Sequence, residues 1–144
     1  MAPAAFTPDQ VDDAIRFMLR SRFTAQHPTV SYTEIFVAAG LPTPQDLYED
    51  GGSPLITQFM ESFHFRCIQV GLPPLDSLVV QAGGMYKGYP GKGYFTVNDS
   101  VYPFGGRDVV KEIAAQKLLE AQQEAARMWL DGFQKGTRTS PISD

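Results

Sequence analysis

The chain has 144 residues, 43% of them apolar and 12% aromatic, with a formal net charge of -4 at neutral pH. That is enough apolar material for one continuous core and too little length for two ordinary domains, so a single α+β domain over residues 1–136 with a flexible tail over 137–144 is expected. The negative balance excludes nucleic-acid binding by bulk charge, because phosphate neutralisation supplies most non-specific affinity; any such contact has to be local.

Capping signals punctuate the first half of the chain. Thr7-Pro8-Asp9-Gln10 is a capping box with proline at the first helical position, and Val11, Ala14, Ile15 and Met18 recur at helical spacing, predicting a helix over about 8–26 that His27-Pro28 ends. Ser31-Tyr32-Thr33-Glu34 is a second capping box, opening a short helix over about 32–39 that Gly40 and Pro42 close. Thr43-Pro44 opens a brief helix over about 44–50, and Ser53-Pro54 starts a longer one over about 54–70. Ile56, Phe59, Met60, Phe63, Cys67 and Val70 form its apolar stripe.

The character then changes. Ser77 to Gln81 and Tyr94 to Val97 are short β-branched or aromatic runs separated by a glycine-rich tract, predicting a hairpin over about 77–97 with a long tip. Helical periodicity returns at Val110, Ile113, Leu118, Ala121, Ala125, Met128 and Trp129, predicting a long helix over about 108–133. Helix, short helix, longer helix and hairpin is the order of a winged helix-turn-helix, with residues 43–50 inserted before its third helix.

The tract Val30-Ser31-Tyr32-Thr33-Glu34-Ile35 with Ala38-Ala39-Gly40, then Pro73-Pro74-Leu75 and the glycines from Gly83 to Gly93, resembles the DNA-binding half of alkylguanine DNA alkyltransferases over about half the chain. The resemblance implies a winged-helix topology. It implies no alkyl transfer, because the family's reactive Pro-Cys-His-Arg motif is missing and the matching region reads Asp76-Ser77-Leu78-Val79-Val80.

Two surfaces suit DNA. The hairpin tip carries Tyr86, Lys87, Tyr89 and Lys92 with no acidic residue, types that contact phosphate and stack on bases. The helix over 54–70 offers Thr57, Gln58 and Arg66 on its polar face. The tip could equally be a solvated glycine-rich turn, the helix face is more commonly an ordinary solvated surface, and Asp46, Glu49 and Asp50 precede that helix with no Lys or Arg between Thr43 and Glu61. An acidic face of this kind suits a basic protein partner instead. Trp129 and its apolar neighbours on the last helix could add a partner or homodimer contact.

Catalysis has less support. One cysteine, Cys67, and two histidines, His27 and His64, make neither a disulfide nor a metal set, and no Ser-His-Asp or paired-carboxylate spacing stands out. Cys67 falls on an apolar stripe, where a buried structural thiol is expected. No cofactor is expected. No apolar run approaches the roughly 20 residues of a membrane span and the first residues lack a secretory pattern, so a cytoplasmic protein is expected. The expected function is non-catalytic DNA interaction or regulation. The alternative is a small adaptor or inhibitor, of the kind that bacterial hosts or phages encode, binding another protein through Asp46, Glu49, Asp50 or Trp129.

Overall fold

The computed structural model describes residues 5–142. The helix starts follow their capping chemistry. In α1 (Pro8–Arg20) the Thr7 hydroxyl accepts from the Gln10 N–H at 3.3 Å while the Gln10 side chain accepts from the Thr7 N–H at 2.9 Å. Ser31 and Glu34 repeat the exchange at the start of α2 (Tyr32–Ala38). Thr43 caps α3 (Pro44–Glu49) through the Asp46 N–H, and α4 runs Pro54–Gln69. Residues 75–78 form a 3-10 turn leading into β2 (Val79–Val80), which pairs in parallel with β1 (Val30–Ser31), Val30 opposite Val79. A short α5 (Lys92–Val97) and a long α6 (Val109–Gln134) complete a mostly helical α+β architecture.

One helix bound and one element differ from the sequence expectation. The first helix stops at Arg20 rather than near residue 26, because Ser21 turns to extended backbone and its hydroxyl donates to the Phe17 carbonyl at 2.7 Å. From α6, Gln134 donates its amide to the Leu19 and Ser21 carbonyls, satisfying acceptors that a longer helix would have paired internally. The expected hairpin over 77–97 is not formed. Val79 and Val80 find their partner in β1, and Tyr94 to Val97 coil into α5, where Tyr94 and Phe95 are buried against Ala115 and Leu119 of α6. A four-residue apolar run has too few positions for periodicity to separate strand from helix.

The main core gathers Ile15 and Met18 of α1, Ile35 and Phe36 of α2, Phe59 and Phe63 of α4, Leu75 and Leu78, and Leu130 of α6, all nearly inaccessible. Six of these nine side chains are large aliphatics and three are phenylalanines; Phe59 meets Phe36 and Phe6 at ring-centroid distances of 5.2 Å each. At about 1.5 Å per residue, the 26 residues of α6 span about 39 Å, long enough to serve the main core with Ala126 and Leu130 and the second cluster with Ala115 and Leu119. A three-residue network fixes α5 to it: the Tyr94 hydroxyl donates to Gln122, the Gln122 amide donates to Asn98 at 2.8 Å, and Asn98 donates to the Tyr94 carbonyl at 2.8 Å.

The described part of the expected tail packs against the fold. Ile142 is 3% exposed within the main core, Thr137 donates to the Gly132 carbonyl at 2.6 Å, and the Arg138 guanidinium lies 5.7 Å from the centre of the Trp129 ring. An apolar side chain at residue 142 gives the segment something to bury, which its polar composition concealed. Residues 143–144 of that expectation lie outside the described residues.

Candidate functional site: a tyrosine-lined cleft

Five of the chain's six tyrosines meet at one cleft of about 500 Å³. Tyr32 enters at the first turn of α2, Tyr48 from α3, Tyr86 from the loop after β2, Tyr94 from α5 and Tyr102 from the segment before α6. Thr57 and Met60 of α4 supply another wall, and Lys92 at the start of α5 supplies a cation. The volume lies within the range that encloses a molecule of nucleotide size.

The loop over 81–91 is held in place. Gly88 N–H donates to the Gln81 carbonyl at 2.9 Å, and Gln81 N–H donates to the Tyr89 carbonyl at 3.0 Å, closing its neck. Gly91 N–H donates to the Tyr32 hydroxyl at 2.7 Å, tying the far end of the loop to α2. Aromatic packing does the rest: Tyr86 stacks on Phe104 with centroids 4.9 Å apart and meets Tyr102 edge-on at 5.1 Å, while Tyr89 meets Phe104 at 4.8 Å. The Lys92 ammonium lies 5.8 Å from the centre of the Tyr102 ring, so it is oriented without being neutralised by a carboxylate at that contact.

Electrostatics keep the phenols neutral. Burial is the largest cause raising the Tyr32, Tyr94 and Tyr102 hydroxyls above the ordinary tyrosine value, and the Asp76 carboxylate adds to it at Tyr32 and Tyr94. These groups are hydrogen-bonding hydroxyls on π-faces at physiological pH. Behind them, Asp76 borders a small void that shares Tyr32, Met60, Gly93 and Tyr94 with the cleft. Its carboxylate holds the His64 Nδ1 at 2.9 and 3.1 Å, and both residues are 3% exposed. Burial raises the Asp76 carboxyl, and the hydrogen bond and charge of His64 oppose that rise. This pair joins α4 to the turn that leads into β2 and the cleft loop. Cys67, on the same helix, is fully buried, and burial with the nearby Asp76 charge pushes its thiol up, away from the reactive thiolate.

Thr57, Tyr86 and Lys92 are therefore brought together, whereas the other candidates are not. Lys87 is exposed on the loop outside the cleft lining, and Tyr89 is half-buried in the aromatic cluster beneath it. Gln58 and Arg66 line a separate groove between α1 and α4, where Arg66 bonds Asp12 through Nε at 2.8 Å and Gln69 through Nη1 at 3.0 Å. Asp46, Glu49 and Asp50 are exposed around Tyr48 on α3. Trp129 lies on the C-terminal half of α6, half-buried on the main core and stacked on Phe133 at 5.5 Å, so much of its surface already serves the fold. Sequence reasoning missed Tyr32, Tyr48, Tyr94 and Tyr102, because they come from four separate elements and share no motif.

Among the described residues no helix is long and apolar enough to cross a membrane, and no three His, Cys, Asp or Glu side chains gather as a metal site. The chain matches no protein-family model, no curated protein and no solved structure.

Proposed function

We propose that this chain is a non-catalytic, winged-helix-like protein of DNA interaction or regulation, and that its contact site is the tyrosine-lined cleft. In this arrangement α4 takes the place of the third helix and the loop over 81–91 takes the place of the wing. The observation that carries the reading is the convergence of five tyrosines, Thr57 and Lys92 on one nucleotide-sized cleft. Aromatic faces stack on bases with little regard to sequence, hydroxyls bond sugar and phosphate oxygens, and one lysine neutralises one phosphate. With a chain charge of -4, so few cations give an affinity modest in size and steep in salt only to the extent of the phosphates contacted.

The test is a fluorescence-anisotropy titration with short single-stranded and duplex oligonucleotides across a salt series. Wild-type protein should bind at low salt, and Lys92→Ala should weaken binding and reduce the salt slope by about 1, whereas Lys87→Ala should act more weakly. An unchanged affinity and slope in Lys92→Ala would remove the cleft from the contact surface.

A second reading has its own observation: Asp46 and Glu49 on α3 and Asp50 at its C-terminal end are all exposed, and α3 carries no basic residue. Such a face suits a basic protein partner, and an adaptor or inhibitor acting there would lose its partner on charge reversal at these three positions while ignoring Lys92→Ala.

A further inference from the structure

The loop that walls the cleft carries an apolar side chain at its tip with no packing of its own. Met85 is 88% exposed, more than any other large hydrophobic residue of the described chain, the next being Val110 at 79%. It is not on a loose segment. Gly84 and Gly88 take left-handed backbone angles, φ 83° and 88°, that fold the loop tightly around it. Tyr86, its immediate neighbour, is stacked on Phe104 and faces the cleft, and the neck bonds between Gln81 and residues 88 and 89 close the loop behind it. An apolar residue is thus presented to solvent from a supported platform, one residue away from a ring that lines the cleft.

We propose that Met85 is a wedge that enters a base step beside the cleft, unstacking it so that the freed base reaches Tyr86 and its neighbours. The inference rests on the cleft being a nucleic-acid site. The chemistry fits a base step in three ways. A thioether chain is unbranched, flexible and polarisable, so it slides between planar rings and gains dispersion contact with both. Apolar wedges of this size are a recurring means of opening a base step. The base that is released then meets a stacking surface within one residue of the wedge, which compensates part of the stacking lost. Among the described residues Met85 lies outside both core clusters, so neither core accounts for it.

The experiment uses a short duplex containing 2-aminopurine, whose fluorescence rises when it is unstacked, with anisotropy of a separate end label reporting binding. Wild type should bind at low salt and brighten the 2-aminopurine at saturation. Met85→Ala should bind about tenfold more weakly and, at saturating concentration, lose most of the brightening. Met85→Leu, which keeps apolar bulk, should restore most of both. A circular-dichroism spectrum identical to wild type confirms that these exposed substitutions leave the fold intact. Binding by wild type without brightening, or equal brightening by Met85→Ala, overturns the wedge and leaves the cleft reading standing. Absence of wild-type binding at low salt overturns both.

Discussion

His64 and Asp76 offer the sharpest energetic test of the structure, because they form a hydrogen-bonded pair of polar side chains that is almost wholly buried. Each is 3% exposed, and the His64 Nδ1 contacts both carboxylate oxygens at 2.9 and 3.1 Å. Replacing one partner leaves the other buried and uncompensated, which costs about 3–5 kcal/mol. His64→Leu should therefore be strongly destabilising. Adding Asp76→Asn to it removes the stranded charge and leaves an unpaired amide, a penalty of about 1–3 kcal/mol. So Asp76→Asn should be stabilising by about 2 kcal/mol in the His64→Leu background and destabilising on its own, a reversal of sign that few structural explanations share.

The pH dependence follows from the same pair. Burial holds the Asp76 carboxyl above its ordinary value, and losing His64 removes the two largest influences that oppose this. A carboxyl whose folded value exceeds its unfolded value binds a proton more readily in the native state, so its contribution is present below the unfolded value and lost as pH rises through the folded one. His64→Leu should accordingly lose stability as pH rises above the ordinary carboxylate range, and the double variant should lack that slope. Urea denaturation of the four proteins at pH 4.5 and pH 7 measures both effects. If Asp76→Asn destabilised the His64→Leu protein further, or the pH slope survived in the double variant, the buried contact would not be the one described.

Three other outcomes are expected. Tyr32→Phe removes the acceptor of the Gly91 N–H, bonded at 2.7 Å, and should cost about 1 kcal/mol with faster hydrogen exchange at the Gly91 amide; unchanged exchange would mean that Tyr32 does not hold the loop. Arg66→Ala breaks a partly exposed ion pair to Asp12 and should cost at most about 1 kcal/mol in urea denaturation, with oligonucleotide affinity unaltered, since Arg66 lies on the other groove. Truncation after Gly136 uncovers the site filled by Ile142 and should lower stability by about 1.5–3 kcal/mol in the same assay, whereas no change would return the segment to a loose tail.

The parts of this fold that local chemistry dictates were legible from the residues. Thr7, Ser31 and Thr43 announce their helices because a hydroxyl beside the first turn is the cheapest partner for an orphan N–H, and all three accept that bond here. The parts decided by distant partners were not. Nothing near Ser21 says that Gln134, more than one hundred residues later, will donate its amide to the Ser21 carbonyl, and nothing in Val79-Val80 says that its strand partner is Val30-Ser31 rather than the next β-branched run. Tyr94 to Val97 has strand-forming residue types, yet α6 offers it a helical docking surface, and burial overrides propensity. The candidate site shows the same division. Tyr86 and Lys92 drew notice as a basic and aromatic tract, while Tyr32 and Tyr48 resemble ordinary helix residues until the fold sets them across the same cleft.

Amide chemical-shift mapping of the ¹⁵N-labelled protein with a short single-stranded oligonucleotide at low salt would test the central proposal most directly. A DNA-contacting cleft predicts shifts concentrated at Tyr32, Thr57, Tyr86, Lys92 and Tyr102, with little change along the C-terminal half of α6. Shifts scattered over unrelated surfaces, confined to α3 or α6, or absent throughout would contradict it.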